Sequence, residues 1–237
     1  MLFRSLLDYG DEITFSLRND GEINRIYGNE TIPPDKDLIL RSANTLKKYS
    51  KTKAGIDIGV IKKIPTGGGL GGGSSKAATV LIALNDLWNL KLPKSELLDI
   101  GQTLGADVPV FVNGHSAWAE GKGDILTPIN LPRFFYLVVS INKHISTQEI
   151  FTHKALTMSP VQRKISDFSL VSNPHNDCLD AAIELEGEIQ QALNHLDSTV
   201  NHIGVARMTG SGCCVFIAFE NKEDAVIARE KIGRAHV

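Results

Sequence analysis

The sequence has no long apolar run, no basic cluster and no cysteine pattern. Its longest basic run is a Lys-Lys pair and its net charge is −2, which argues against nucleic acid or an anionic membrane as a main partner. No apolar stretch approaches the roughly 18 residues of a membrane-spanning helix, and acidic residues come too early for a signal peptide. Cys178, Cys213 and Cys214 lack metal-ligand spacing, as do the seven histidines. These absences predict a cytoplasmic globular protein with reduced thiols, and no residue is assigned to a metal site.

At 237 residues, 42% of them hydrophobic and 22% charged, the chain can form one large domain or two smaller ones. Helix and strand patterns are mixed without repeats, which predicts two α+β halves joined near residues 128–132. Strand patterns fall at 12–18, 22–28, 54–65, 108–114, 116–121, 134–142 and on both sides of a turn within 205–221. Helix patterns fall at 37–50, 74–90, 94–104, 146–156, 176–196 and 222–233. The sequence Asn-Asp-Gly at 19–21 predicts a hairpin between the first two strands.

What the sequence has in excess is glycine, with six glycines in the seven residues from Gly67 to Gly73. Each costs about 0.5–1 kcal/mol relative to alanine in regular structure, so a compensating use is expected. The order of strand, glycine loop and helix is the arrangement in which backbone N–H groups and a helix N-terminus bind phosphate. We expect Ser74 and Ser75 to cap the helix and to offer hydroxyls to phosphate or Mg²⁺.

Two common phosphate-binding motifs fit the glycine segment, residues 65–75, poorly. A Walker A loop needs Lys after its last glycine, but Ser74 follows Gly73. Gly67, Gly69 and Gly72 match GxGxxG, as any tract so rich in glycine would, and no acidic residue closes a second strand about 20 residues later. A flexible loop without a ligand is the remaining alternative, although linkers rarely run straight from a strand into a helix.

Three segments together resemble the GHMP small-molecule kinases. They are PTGGGLGGGSSKAA at 65–78, LGADVPVFVNGHSAWAEGKGDILTP at 104–128 and RMTGSGCCVF at 207–216, in the family's order. The triple-glycine form of the first segment is similar to the branch that phosphorylates 4-diphosphocytidyl-2-C-methyl-D-erythritol in the non-mevalonate isoprenoid pathway. The resemblance implies an α+β, two-domain GHMP kinase architecture. Residues 1–128 would form a ribosomal-protein-S5-domain-2-like domain that binds ATP, and residues 129–237 a ferredoxin-like domain that binds the substrate.

The resemblance also implies the residues that bind ATP and carry out the transfer, with Mg²⁺ as the metal cofactor. Asp107, within GADVP, would be the catalytic acid–base group that takes the proton of the substrate hydroxyl. Without the resemblance, an aspartate before a proline is more simply a turn residue or a helix cap. The ATP-binding residues would be Pro65, Thr66, Gly67, Gly68, Gly69, Leu70, Gly71, Gly72, Gly73, Ser74 and Ser75.

For the substrate, the resemblance implies a cytidine pocket and a second glycine turn. Thr147 and Phe151 would lie at the pocket, with the aromatic ring stacked on the base; their helical spacing is equally that of a cap and a core residue. Gly210, Ser211 and Gly212 would close on the substrate phosphates, although a tight hairpin explains this turn without a ligand. In strand alternation one of Cys213 and Cys214 would face the core.

Several positions depart from the family pattern. Lys76 stands where the family usually has Asp or Asn, and Asp37 where an asparagine would lie near adenosine. The family's first motif, a strand with a lysine that faces the catalytic aspartate, and its closing strand have no counterpart. We therefore expect a chain truncated at both ends that turns over slowly. Another GHMP kinase acting on a different small alcohol, or a nucleotide-binding module without turnover, stay open as alternatives.

Overall fold

The computed structural model describes residues 2–4, 6–28, 32–121, 123, 125–141, 143, 145–156 and 176–233. The chain divides into two compact units: an N-terminal unit of Met1–Ile64 and Gly71–Asn130, and a C-terminal unit of Pro65–Leu70 and Leu131–Val237. The first six residues of the glycine segment, Pro65–Leu70, therefore group with the C-terminal unit although they lie early in the sequence. No helix among the described residues is long and apolar enough to cross a membrane.

Within the ranges just given, the N-terminal unit has two three-stranded sheets and four helices. Its strands are β1 (Leu2–Arg4), β2 (Glu12–Arg18), β3 (Ile23–Tyr27), β4 (Gly55–Ile61), β5 (Ala117–Glu120) and β6 (Ile125–Pro128). Its helices are α1 (Leu38–Ser50), α2 (Gly72–Leu87), α3 (Lys94–Leu104) and α4 (Val108–Asn113). The sheets have the orders β1-β5-β6 and β2-β4-β3. One core joins the second sheet to the helices, and its fully buried side chains include Ile39, Leu46, Ile58 and Leu81.

The predicted hairpin between β2 and β3 is wrong, although both strands exist. The later strand β4 lies between them, antiparallel to β2 and parallel to β3. The turn after β2 crosses the start of β4, where the Ile56 N–H donates to the Glu22 carbonyl at 2.8 Å. A Cβ on Gly55 would lie 2.4 Å from that carbonyl oxygen, so only glycine fits beneath the turn. Because β4 carries the buried residues Ile56, Ile58 and Val60, it takes the central position.

The apolar segment 108–114, predicted to be a strand, is the short helix α4. Pro109 lies in its first turn, where the missing N–H costs nothing. Gly114 ends it in the left-handed conformation at φ 76°. Because Val108, Val110 and Val112 are all buried, the run lacks the polar face by which sequence patterns distinguish a helix.

Helix α1 shows what the unexpected Asp37 does. Its carboxylate caps the helix by accepting the Ile39 N–H at 3.0 Å, and its second oxygen accepts from the Arg25 guanidinium at 2.6 Å. The side chain is only 1% exposed, and a charge so deeply buried needs such partners. The departure at this position is therefore accompanied by a built-in ion pair.

The described residues of the C-terminal unit form four helices and one antiparallel sheet of order β7-β9-β8. Its elements are β7 (Phe135–Ser140), α5 (Thr147–Thr152), α6 (Leu179–Leu185), α7 (Glu188–Asp197), β8 (His202–Met208), β9 (Cys214–Phe219) and α8 (Lys222–Ile232). The long helix predicted over 176–196 is wrong, because it is interrupted between α6 and α7 at Glu186 and Gly187. Glu186 has extended backbone at φ −145° and ψ 94°, so the two helices pack separately around Ile189, Ile217 and Phe219.

Candidate active site

The second half of the glycine segment starts helix α2 in the N-terminal unit. Gly71 is the N-cap in the left-handed conformation, at φ 69° and ψ 15°, and the Ser75 N–H donates to its carbonyl at 2.9 Å. The prediction that Ser74 and Ser75 cap this helix is wrong, since they lie within its first turn and no side chain caps it. Only glycine adopts this φ readily, which allows the helix to begin two residues earlier than predicted.

The first turn of α2 is suited to an anion. The N–H groups of Gly72, Gly73 and Ser74 precede the first helical hydrogen bond and so lack helical acceptors. The helix is 16 residues long and has no acidic side chain in its first turn. Its dipole therefore favours negative charge at this end, and two residues without side chains leave the backbone open to it.

The first half of the glycine segment is held against the second glycine turn, within the C-terminal unit. The Thr209 hydroxyl donates to the Gly68 carbonyl at 2.7 Å, and the Cys214 N–H reaches the same oxygen at 3.2 Å. A Cβ on Gly69 would lie 2.3 Å from the Thr209 carbonyl oxygen, and one on Gly68 2.4 Å from the Cys214 sulfur. Glycines at 68 and 69 are thus required for one glycine turn to contact the other, a pairing that their separation in sequence does not reveal.

Asn176 holds the second glycine turn from the other side. Its side-chain amide donates to the carbonyls of Met208, at 3.1 Å, and Gly210, at 2.9 Å, while its oxygen accepts the Cys178 N–H at 3.0 Å. Sequence reasoning missed this residue, because an asparagine at the start of a helix pattern is more simply a cap. Its amide fixes two carbonyls of the turn that contains Gly210, Ser211 and Gly212.

Two of the predicted substrate residues lie together beside this turn. The hydroxyls of Thr147 and Ser211 are 3.2 Å apart. Thr147 is the first residue of α5, whose N-cap is Ser146 with a reciprocal bond to Glu149, so the alternative that Thr147 is the cap is wrong. Phe151 on the same helix is 60% exposed, so the alternative that it is a core residue is wrong.

Cys213 and Cys214 are both buried, and Cys213 belongs to the hydrophobic core of the C-terminal unit, as strand alternation predicted for one of the two. Cys214 is opposite Gly68, and the Cys213 sulfur lies 3.2 Å from the Lys143 carbonyl oxygen. Burial raises the pKa of both thiols, which keeps them protonated and unreactive. Among the described residues no group of three histidine, cysteine or acidic side chains could hold a metal ion.

Asp107 is the N-cap residue of α4 in the N-terminal unit, at φ −92° and ψ −11°. It occupies the helix-cap position that the sequence predicts without the family resemblance, but its side chain does not make the capping hydrogen bond. The carboxylate is partly exposed and sits on a tight turn between α3 and α4. Its catalytic role stays a prediction.

A buried charge cluster that sequence reasoning missed adjoins the glycine segment, within the N-terminal unit. The Asp11 carboxylate, 2% exposed, accepts from the ammonium groups of Lys62 at 2.7 Å and Lys76 at 2.9 Å. Its other oxygen accepts the N–H groups of Lys63 and Ile64, each at 2.8 Å. Burial raises the pKa of Asp11, but these four hydrogen bonds outweigh it and hold the pKa well below 3.8. Nothing in the local sequence of Asp11 signals partners more than 50 residues away.

This cluster predicts how the stability of the N-terminal unit depends on pH. Because the pKa of Asp11 is depressed by folding, its stabilisation is complete above the unfolded-state value of 3.8 and is lost as the pH falls toward the folded-state value. Asp11→Asn should lower the free energy of unfolding by about 3 kcal/mol at pH 7, since it leaves the buried Lys76 and the partly buried Lys62 without their anion. That difference should shrink below pH 4. Urea unfolding followed by the fluorescence of Trp88 and Trp118, both in this unit, measures it; a difference independent of pH would contradict the prediction.

Comparison with known proteins identifies the family. The GHMP kinases N terminal domain matches residues 37–115. The 4-diphosphocytidyl-2-C-methyl-D-erythritol kinase of Ruthia magnifica subsp. Calyptogena magnifica is 55% identical over 229 residues, which are 97% of this chain and 80% of that protein. The enzyme of the same name from Vesicomyosocius okutanii subsp. Calyptogena okutanii (strain HA) is 53% identical, with the same coverage of both chains.

Two solved structures superpose on this chain. A crystal structure of 4-(cytidine 5'-diphospho)-2C-methyl-D-erythritol kinase superposes with a TM-score of 0.75 at 27% identity, over 94% of this chain and 81% of that one. Homoserine kinase from Cytophaga hutchinsonii ATCC 33406 has a TM-score of 0.68 at 20% identity, over 97% of this chain and 81% of that one, which shows a shared fold. The α+β GHMP kinase fold predicted from the sequence is thus confirmed. The chain belongs to the 4-diphosphocytidyl-2-C-methyl-D-erythritol kinase family of GHMP kinases.

Proposed function

We propose that the chain transfers the γ-phosphoryl group of ATP to the 2-hydroxyl of 4-diphosphocytidyl-2-C-methyl-D-erythritol. The observation that carries this proposal is the 55% identity, over 97% of the chain, to a relative of that name. A small-molecule substrate of this kind also agrees with the low net charge and the lack of basic runs.

ATP would bind through the residues of the glycine segment from Pro65 to Ser75. The start of α2 fits a phosphate, because its N–H groups point out of the first turn and Gly72 and Gly73 present no side chain to obstruct it. The hydroxyls of Ser74 and Ser75 lie in the same turn. They do not cap the helix, which leaves them available to a phosphate oxygen or to a metal ion bound with it.

Mg²⁺ would arrive with the nucleotide. This ion is usually bound by one or two protein oxygens together with substrate phosphates, and it keeps several waters. The described residues contain no ready-made acidic cluster, which is compatible with an ion held mainly by ATP. When bound, it would neutralise charge on the phosphates.

Asp107 would act as the general base. A carboxylate within hydrogen-bond reach of the attacking hydroxyl can take its proton as the oxygen approaches the γ-phosphorus, a contribution of typically 10²–10⁴-fold. Its place on a tight helix N-terminus, rather than on a long flexible loop, would fix its position for that transfer.

The substrate's cytidine and phosphates would bind in the C-terminal unit, where Thr147 and Ser211 are in contact. Gly210 and Gly212 have left-handed backbone, at φ 48° and 92°, so their turn presents backbone in place of side chains. The exposed ring of Phe151 lies one helical turn after Thr147 on α5, where it could stack on the base.

The decisive assay incubates the chain with ATP, Mg²⁺ and 4-diphosphocytidyl-2-C-methyl-D-erythritol and measures ADP together with the mass of the product. A gain of one phosphate on that substrate, and none on homoserine or mevalonate, is expected. Phosphorylation of homoserine instead would indicate another GHMP kinase. If calorimetry shows binding of ATP and CDP but no product forms, the chain is a nucleotide-binding module. If it binds neither nucleotide and forms no product, the proposal is wrong.

Phe151→Ala should weaken CDP binding roughly 5- to 150-fold and leave ATP affinity unchanged, since stacking of a base on an aromatic ring is worth about 1–3 kcal/mol. Because Phe151 is mostly exposed, its loss should hardly change the melting temperature. Phe135→Ala is the matched control, as Phe135 is another exposed phenylalanine of the same unit, 42% accessible on β7. Equal CDP affinity in both variants would exclude the stacking role.

A further inference from the structure

The charge cluster of Asp11, Lys62 and Lys76 connects the two ends of the glycine segment. Asp11 directly precedes β2, whereas Lys62 follows β4 and Lys76 lies in α2. The chain leaves the N-terminal unit after Ile64 and returns at Gly71. Asp11 bonds to Lys63 and Ile64 just before this departure and to Lys76 just after the return. One carboxylate therefore spans the departure and return points.

The two carboxylate oxygens of Asp11 have separate tasks. Oδ1 accepts only backbone N–H groups, those of Lys63 and Ile64, and so fixes the strand end. Oδ2 accepts the two ammonium groups, and the Lys76 ammonium is the one that comes from α2. Loss of the Lys76 bond would release the helix start while the strand end stays held.

Burial makes this arrangement rigid. The side chains of Asp11 and Lys76 are 2% and 8% exposed, and that of Lys62 is 27% exposed, so water screens the pair of Asp11 and Lys76 little. A buried ion pair adds little stability compared with apolar side chains of the same size. The ion pairs instead fix the relative positions of the three side chains, because each ammonium must stay at hydrogen-bond distance from Oδ2 of Asp11.

The cluster also has the sign that a phosphate site requires. Lys76 lies one helical turn after the start of α2, and a carboxylate beside its ammonium without other cations would not favour an anion at that helix end. Two lysines around one aspartate leave a net charge of +1, so the connection is made without adding negative charge.

We infer that Asp11, acting through Lys76, is a positioning residue that holds the glycine segment in the form that binds ATP phosphates. This inference rests on the proposed function for the identity of the ligand, ATP. The effect of Asp11 on the order of the glycine segment does not depend on that function. Asp11 and Lys76 would not touch the reacting atoms. Their contribution would be pre-organisation, which lowers the cost of ordering the loop when ATP binds.

Two variants and a control test the inference. Asp11→Asn keeps the oxygen that accepts the two backbone N–H groups and replaces the oxygen facing the ammoniums by a donor. Lys76→Met leaves Asp11 paired with Lys62 and replaces a buried ammonium by an apolar chain of similar length, so it should fold even if Asp11→Asn does not. Arg18→Gln is the control, because it breaks an ion pair of the same sheet, with Asp57 at 3.0 Å, away from the glycine segment.

The readouts are the KM for ATP, kcat, the CDP affinity and hydrogen exchange of the backbone amides from Ser75 to Ala78. Both cluster variants should raise the KM for ATP about 10-fold or more, since small misplacements of binding groups cost up to about 100-fold. The value of kcat should change less than about threefold, CDP affinity should not change, and exchange should accelerate without nucleotide. The double variant Asp11→Asn/Lys76→Met should raise the KM for ATP no more than Asp11→Asn does, because both substitutions remove the bond between Asp11 and Lys76.

A purely structural role would predict something else. It would lower the melting temperature in all three variants while the KM for ATP stayed at the wild-type value, and that result would overturn the inference. Unchanged amide exchange in both cluster variants would overturn it too. If the wild-type chain failed to bind ATP, the proposed function would be wrong and the ATP role would fall with it. Hydrogen exchange of the amides from Ser75 to Ala78 would then still decide whether the cluster orders the start of α2.

Discussion

Replacing Asp107 by asparagine should lower kcat for phosphoryl transfer by roughly 10²–10⁴-fold, the usual contribution of a general base. Asparagine has nearly the same shape but cannot take the proton of the substrate hydroxyl. Affinities for ATP and CDP should stay close to those of the wild type, because the proposed base acts on the reacting hydroxyl rather than on either nucleotide. The measurement is ADP release at saturating ATP and substrate, with calorimetry for each ligand.

Asp99→Asn provides the matched control for Asp107→Asn. Asp99 is an exposed aspartate of α3 in the same unit, and its substitution should leave kcat unchanged. If Asp107→Asn kept kcat within tenfold of the wild type, Asp107 would not be the base. If it lost ATP binding together with turnover, the carboxylate would serve the turn between α3 and α4 instead.

Local patterns predicted most elements of the fold correctly. The helix at 94–104 ends at Gly105 as predicted. Two of the wrong predictions have a common cause. The order of β2, β4 and β3 and the helical state of 108–113 depend on what packs around a buried segment, and a turn signal or an apolar run carries no information about distant partners.

The sequence predicts which residues form the candidate site but not how they are arranged. The motif at 65–78 indicated phosphate binding, yet its halves belong to different units. The contacts of Gly68 and Gly69 with the turn at 209–214 involve backbone atoms, the Thr209 hydroxyl and a cysteine sulfur, and none of these residue types indicates such a partner in the sequence. Asp11 and Asn176 were missed for a similar reason, since each acts on residues 30 or more positions away through ordinary hydrogen bonds.

Substitution of Gly71 should have the largest effect on ATP binding. The left-handed backbone of Gly71 orients the N–H groups of the first turn of α2 together. Valine strongly disfavours this backbone and would also bring a Cβ to 2.9 Å from the Phe111 ring. Since one hydrogen bond to a charged group is worth about 1.5–3 kcal/mol, Gly71→Val should weaken ATP binding by about 10- to 150-fold for each such bond lost. CDP affinity should be unchanged.

The control for this prediction is Gly114→Val. Gly114 ends α4 at φ 76° and ψ 12°, close to the φ 69° and ψ 15° of Gly71, and nothing lies within 4 Å of an added Cβ. Both variants therefore carry a similar backbone strain of about 1–2 kcal/mol in the same unit. Calorimetry with ATP, below both melting temperatures, separates strain from ligand binding. Equal ATP affinity in the two variants would mean that the start of α2 does not hold the phosphates, whereas loss at Gly71 alone would place them there.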